Sequence, residues 1–152
     1  DAQIDMKRTE YVYNESAHNP KPIVMINGKE LLNGTDFELS YANNVHSGTA
    51  TVTINGKGNY TGKVEKTFQI TPKMPEKDVD YKVALPAASI YDGKPREASV
   101  WTKTGVGEVT VWYNDSTALP VHAGTYNVAV EIASSDNFSA VQRMDIGSFF
   151  NQ

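Results

Sequence analysis

The chain states one sequence plan twice. Tyr13-Asn14-Glu15 returns as Tyr91-Asp92-Gly93, and Tyr41-Ala42-Asn43 as Tyr113-Asn114-Asp115. His46-Ser47-Gly48-Thr49 returns as His122-Ala123-Gly124-Thr125, and Gly58-Asn59-Tyr60-Thr61-Gly62 as Asp136-Asn137-Phe138-Ser139-Ala140. The offsets are 91 − 13 = 78, 113 − 41 = 72, 122 − 46 = 76 and 136 − 58 = 78. Four landmarks in one order, with small length changes between them, mark a tandem of similar modules. A chain of 152 residues then divides into two small domains rather than one of middle size.

Modules of this size bury only about 60% of their unfolded surface, so each depends on a compact apolar core. There are no cysteines, which excludes disulfides, thiolate metal sites and a cysteine nucleophile. Secretion stays open, since an apolar core can replace disulfides. The formal charge is −4, from 14 basic and 18 acidic residues, and neither half carries the basic excess of a nucleic-acid binder. No apolar run is long enough to cross a bilayer, so no membrane insertion is expected in this segment. The start at Asp1 suits a processed or excised fragment.

Short alternating runs dominate the chain. Ala50, Val52 and Ile54 fall on one face of residues 49–54, and Val109, Val111 and Tyr113 on one face of 109–113. Tyr126, Val128, Val130 and Ile132 do the same in 126–132. Period-two patterns rich in Val, Ile, Thr and Tyr are the half-buried strand signal. Asn27-Gly28, Asn33-Gly34, Asn55-Gly56 and Asp92-Gly93 punctuate the runs with residues that tolerate positive φ. In the first half, strands are expected near 4–7, 11–14, 23–27, 29–32, 37–42, 49–55 and 64–71. No stretch carries a helical stripe. The fold class is all-β: two tandem, small immunoglobulin-like β-sandwich modules joined by a short Pro-containing linker. Residues 1–72 form the first module, 73–78 the linker with Pro75, and 79–152 the second.

Gly48-Thr49-Ala50-Thr51-Val52-Thr53-Ile54 and Gly56-Lys57-Gly58-Asn59-Tyr60-Thr61-Gly62 resemble a bacterial immunoglobulin-like surface repeat. The second half is similar to MBG/YDG-type modules at Ile90-Tyr91-Asp92-Gly93-Lys94-Pro95, Trp112-Tyr113-Asn114 and Ala123-Gly124-Thr125-Tyr126-Asn127-Val128. The first half departs at Tyr13-Asn14-Glu15, which lacks the glycine of the Tyr-Asp-Gly phrase. The resemblance implies beads of a large secreted or wall-attached bacterial protein, with an extracellular or cell-surface location. It implies a spacer, stalk or adhesin repeat whose partners are neighbouring domains and host or environmental glycans or proteins. It brings no catalytic residues and no cofactor.

The residues themselves suggest few sites. His18, His46 and His122 lack partners at metal-ligand spacing, so no metal site is expected. Asp36 with Glu38, and Asp78 with Asp80, share strand faces, but no acid–base constellation accompanies them and no enzyme is expected. The Asp78-Val79-Asp80 pair supplies too few oxygens for calcium. Gly48 and Gly124 are expected to allow a tight approach at strand starts, and Tyr60 and Phe138 to plug the ends of small cores. Trp101 and Trp112 are the tentative ligand-binding residues, because each follows an inward position in its run. Stacking on sugar rings, sealing a module interface and ordinary edge packing are the three roles open to them. Sugar stacking defines the alternative function, a carbohydrate-binding module.

Overall fold

The computed structural model describes residues 2–87, 90 and 92–152. Tyr91, one of the repeat landmarks, lies outside the described residues. Twelve strands and no helix occur among the described residues. By contacts the chain divides into two compact units, with the break between Lys73 and Met74.

Unit 1 holds β1 (Ala2–Asp5), β2 (Glu10–Val12), β3 (Ile23–Ile26), β4 (Lys29–Glu30), β5 (Phe37–Ala42), β6 (Gly48–Gly56) and β7 (Lys63–Thr71). One sheet runs β1-β3-β4 and the other β2-β7-β6-β5. Pairing is antiparallel except for β2, which joins the end of β7 in parallel through Glu10↔Gln69 and Val12↔Thr71. The alternation in β6 puts Ala50, Val52 and Ile54 inward, each at most 5% exposed. Val24 from the first sheet and Leu31, which follows β4, pack with Phe37 and Ile54 from the second. Ala50 and Val52 pack with Phe68 and Ile70 of β7.

Unit 2 holds β8 (Tyr81–Ala84), β9 (Ser99–Thr102), β10 (Val109–Tyr113), β11 (Gly124–Ile132) and β12 (Val141–Asn151). β8 pairs with β9, and β10-β11-β12 form a second antiparallel sheet. Ala98, which precedes β9, packs with Tyr113, Val128 and Phe149, and Val83 of β8 joins them. Each unit therefore packs two sheets face to face, four strands against three in unit 1 and three against two in unit 2. All seven strands expected in the first half are present, with ends shifted by up to two residues.

The repeat landmarks have local causes. Asn14 Oδ1 accepts a hydrogen bond from Ser16 N at 3.0 Å, and Asp92 Oδ1 accepts one from Lys94 N at 2.9 Å. Both are side-chain turns that Asn and Asp build on their own backbone. The paired tyrosines tie loops to the sheet. Tyr41 Oη donates to the Pro20 carbonyl at 2.8 Å, whereas Tyr113 Oη accepts from Ala98 N at 2.8 Å. Phe138 is 2% exposed, and Tyr60 packs partly buried against the Val24 cluster, so both plug the cores as expected.

Two expectations change. The Asn55-Gly56 pair is the end of β6, not a turn; a Cβ on Gly56 would lie 2.9 Å from the Tyr60 backbone. Gly48 and Gly124 face open space, and their need for glycine comes from φ values of 130° and 146°. Within the expected linker, Pro75 is buried, Lys77 bridges to Tyr81, and Asp78 N donates to the Tyr81 carbonyl at 2.7 Å.

Candidate functional site

Trp112 and Trp101 sit on different sheets of unit 2. Trp112 belongs to β10, and its cross-strand partner is Ala129 of β11. Alternation sends Val111 and Tyr113 to the core and Trp112 to the opposite face. Yet Trp112 is not bare. The Arg143 guanidinium, from β12, lies 4.3 Å from the centre of its ring. Arg143 in turn donates a hydrogen bond to Asp115 Oδ1 and forms an ion pair with it. This cover explains why Ala129 is only 4% exposed on the outer side of the sheet. The indole nitrogen of Trp112 is buried and has no hydrogen-bond partner among the described residues.

Beside this stack the sheet carries a polar depression of about 540 Å³. Asn114, Asp115, Asn127, Arg143, Asp145 and Ser148 line it, with Ala129 at its small-residue floor. Asn114 and Asp115 form the tip of the turn after β10, with φ values of 47° and 66°. Asn114 is committed to that turn: its Oδ1 accepts from Asn127 N at 2.8 Å and its Nδ2 donates to the Thr125 carbonyl at 3.2 Å.

Trp101 of β9 stands opposite Lys82 of β8. The Lys82 ammonium is 5.6 Å from its ring centre, and Trp101 remains 49% exposed. Of the two tryptophans, Trp101 keeps the more open ring surface. The structure does not bring the pair together.

The carboxylates serve local structure. Asp36 Oδ2 accepts from Leu32 N at 2.8 Å, and Asp80 Oδ2 accepts from Glu76 N at 2.8 Å. In both turns the Asp carbonyl also accepts from a lysine N–H, Lys57 in unit 1 and Lys103 in unit 2. Asp80 is fully buried, and its Oδ1 lies 3.9 Å from Lys103 Nζ. Glu38 pairs instead with Lys57 at 3.1 Å. No group of three or more metal-ligating side chains occurs among the described residues.

His18 is half-buried. Its ring packs 5.0 Å from Tyr11, and its Nε2 is enclosed without a hydrogen-bond partner among the described residues. His46 stacks on Tyr13 with centroids 6.4 Å apart. Burial, then the nearby Tyr11, raises the Tyr41 phenol above its ordinary value of 10.0. Burial, then Asp78, does the same for Tyr81. The Lys94 N–H, followed by the charges of Arg96 and Lys94, holds the Asp92 carboxyl below its ordinary range despite a smaller opposing effect of burial.

Sequence reasoning missed Asn151 and Arg143. Asn151 is 1% exposed and donates from Nδ2 to the carbonyls of Val121 and His122 at 3.1 and 3.0 Å. No local pattern announces either residue, because their partners lie about 30 residues away along the chain.

Residues 83–146 match the family model of the MBG domain. The match runs from β8 into β12 and lies within unit 2. No curated protein and no solved structure gives a match.

Proposed function

We propose that the chain is a pair of non-catalytic, immunoglobulin-like β-sandwich modules from a larger secreted or cell-surface bacterial protein. The second module begins near Met74. Their work is mechanical: they space neighbouring domains or hold loops out to a partner. The supporting observation is the recurrence of one pairing plan. β1 with β3, and β5-β6-β7, in unit 1 answer to β8 with β9, and β10-β11-β12, in unit 2, where the MBG match falls. Cores built from alternating strands suit load-bearing repeats, since each module carries its own apolar interior. An antibody against this chain should label intact producing cells or their medium. Signal confined to lysed cells would rule the placement out.

The second reading is a carbohydrate-binding module, and one observation favours it: Trp101 leaves about half its surface open on an exposed sheet face. Aromatic faces of this kind stack on sugar rings. A glycan array with the unaltered chain and Trp101→Ala decides it. Equal signals from the two proteins would exclude Trp101 as a sugar platform.

A further inference from the structure

The smaller sheet has three strands in unit 1 and two in unit 2. In unit 1, Asn27 and Gly28 take φ values of 51° and 79° and fold β4 back along β3. A two-residue turn of this kind needs positive φ at both positions, which Asn-Gly supplies. Leu31, just past β4, donates its N–H to the Val24 carbonyl at 2.8 Å and packs with Val24, which is 3% exposed. In unit 2 the chain leaves β9 through Lys103, whose N–H goes to the Asp80 carbonyl at 2.8 Å. The Val106 N–H then turns back onto the Lys103 carbonyl, and the chain runs on into β10. No strand returns along β9, which pairs with β8 alone among the described residues.

The missing strand leaves the core open. Val100 stands opposite Val83, which packs in the unit 2 core, so both lie on the inner face. Yet Val100 is 38% exposed. It borders a groove of about 470 Å³ between β9 and β10, and β10 pairs only with β11 in its sheet. Val100, Val109, Val111 and Leu119 give the groove an apolar lining, and Leu119 is itself exposed. Glu97 and Glu108, both exposed, also line it, and no basic side chain does. A bare edge offers unpaired N–H and C=O groups to another strand, and proteins blunt it with lysine, proline or a covering segment. Ser99-Val100-Trp101-Thr102 contains neither lysine nor proline.

We propose that this groove receives a basic, extended segment of a partner protein, which adds to β9 as a third, antiparallel strand. The segment's backbone takes the free edge, and one of its apolar side chains covers Val100 as Leu31 covers Val24. Its lysines or arginines meet Glu97 and Glu108. The charge selects the occupant. A second copy of this chain docked edge to edge would bring its own Glu97 and Glu108 to the same rim, and like charges there oppose docking. A basic strand meets both the backbone edge and the carboxylates.

The probe is a fluorescein-labelled synthetic peptide that alternates valine with lysine, titrated into the full chain by fluorescence polarisation. It should bind, and the same peptide with glutamate for lysine should bind about tenfold more weakly or worse, since attraction at the rim becomes repulsion. N-methylating the alternate set of peptide nitrogens that faces β9 should abolish binding, and methylating the other set should spare it. In the chain, Glu97→Lys with Glu108→Lys should weaken the lysine peptide by a similar factor. Both side chains are exposed, so the fold is kept, as circular dichroism checks. Hydrogen exchange should slow at Ser99–Thr102 when the peptide binds. Equal affinity for the lysine and glutamate peptides, two N-methylated forms that behave alike, no binding at all, or protection confined to other strands would overturn the proposal. So would a dimer of the chain alone, seen by sedimentation, that Val100→Lys dissolves, which reassigns the groove to a second copy.

Discussion

Removing the Asp80 carboxylate tests how unit 2 is held closed, and Asp36 supplies the matched control. Asp80→Ala leaves the Glu76 N–H without its 2.8 Å acceptor, a buried carboxylate in a turn whose residues 76–79 are exposed. A hydrogen bond to a charged group contributes about 1.5–3 kcal/mol. The ion pair to Lys103 adds little, because its separation is 3.9 Å and Lys103 is a third exposed. The expected loss is about 2–3 kcal/mol, which for a unit of this size lowers the midpoint by roughly 10–20 °C. Asp36→Ala breaks the same kind of bond, but at a half-buried carboxylate, and should cost about 1 kcal/mol. Both tryptophans, Trp101 and Trp112, lie in unit 2, so tryptophan emission follows that unit alone. In urea titrations Asp80→Ala should shift the emission transition and Asp36→Ala should leave it in place, moving only the circular dichroism signal. An emission midpoint unchanged by Asp80→Ala, or moved equally by both variants, would refute the reasoning.

Gly107→Ala should destabilise unit 2 by about 1–3 kcal/mol in the same titration, because the added Cβ would fall 1.9 Å from the Ala133 carbonyl oxygen. Phe68→Ala, at a residue 1% exposed, should cost about 3–5 kcal/mol and show in circular dichroism rather than tryptophan emission. Arg143→Ala should uncover Trp112 and move its emission to the red while changing stability by less than about 1 kcal/mol, since the pair with Asp115 is largely exposed. The raised phenols of Tyr41 and Tyr81 keep their protons longer in the folded chain than in the unfolded one. Their contribution is complete below pH about 10 and is lost as pH rises through the folded values, so alkaline melts should show a loss that Tyr41→Phe reduces.

Much of the fold is legible in local pattern. The strands from Ile23 to Thr71 follow from period-two alternation and Asn-Gly punctuation, because each strand's inner face is written in consecutive residues. β8, β9 and β12 are harder to read. Trp101 and Val100 are both exposed on β9, and β12 carries register shifts against β11, so neither shows a clean alternation. The acidic pairs illustrate the same limit. Spacing set Asp78 beside Asp80 on one face, but only the turn reveals that Asp80 faces inward onto a backbone N–H.

The amino-acid order alone settled the β class and the inner faces of β6, β10 and β11, since these depend on neighbours two positions apart. Tertiary structure alone decided what covers Trp112 and which tryptophan stays open. Those outcomes depend on residues from distant strands meeting in space, and the covering strand is chosen by the pairing of whole sheets rather than by local sequence.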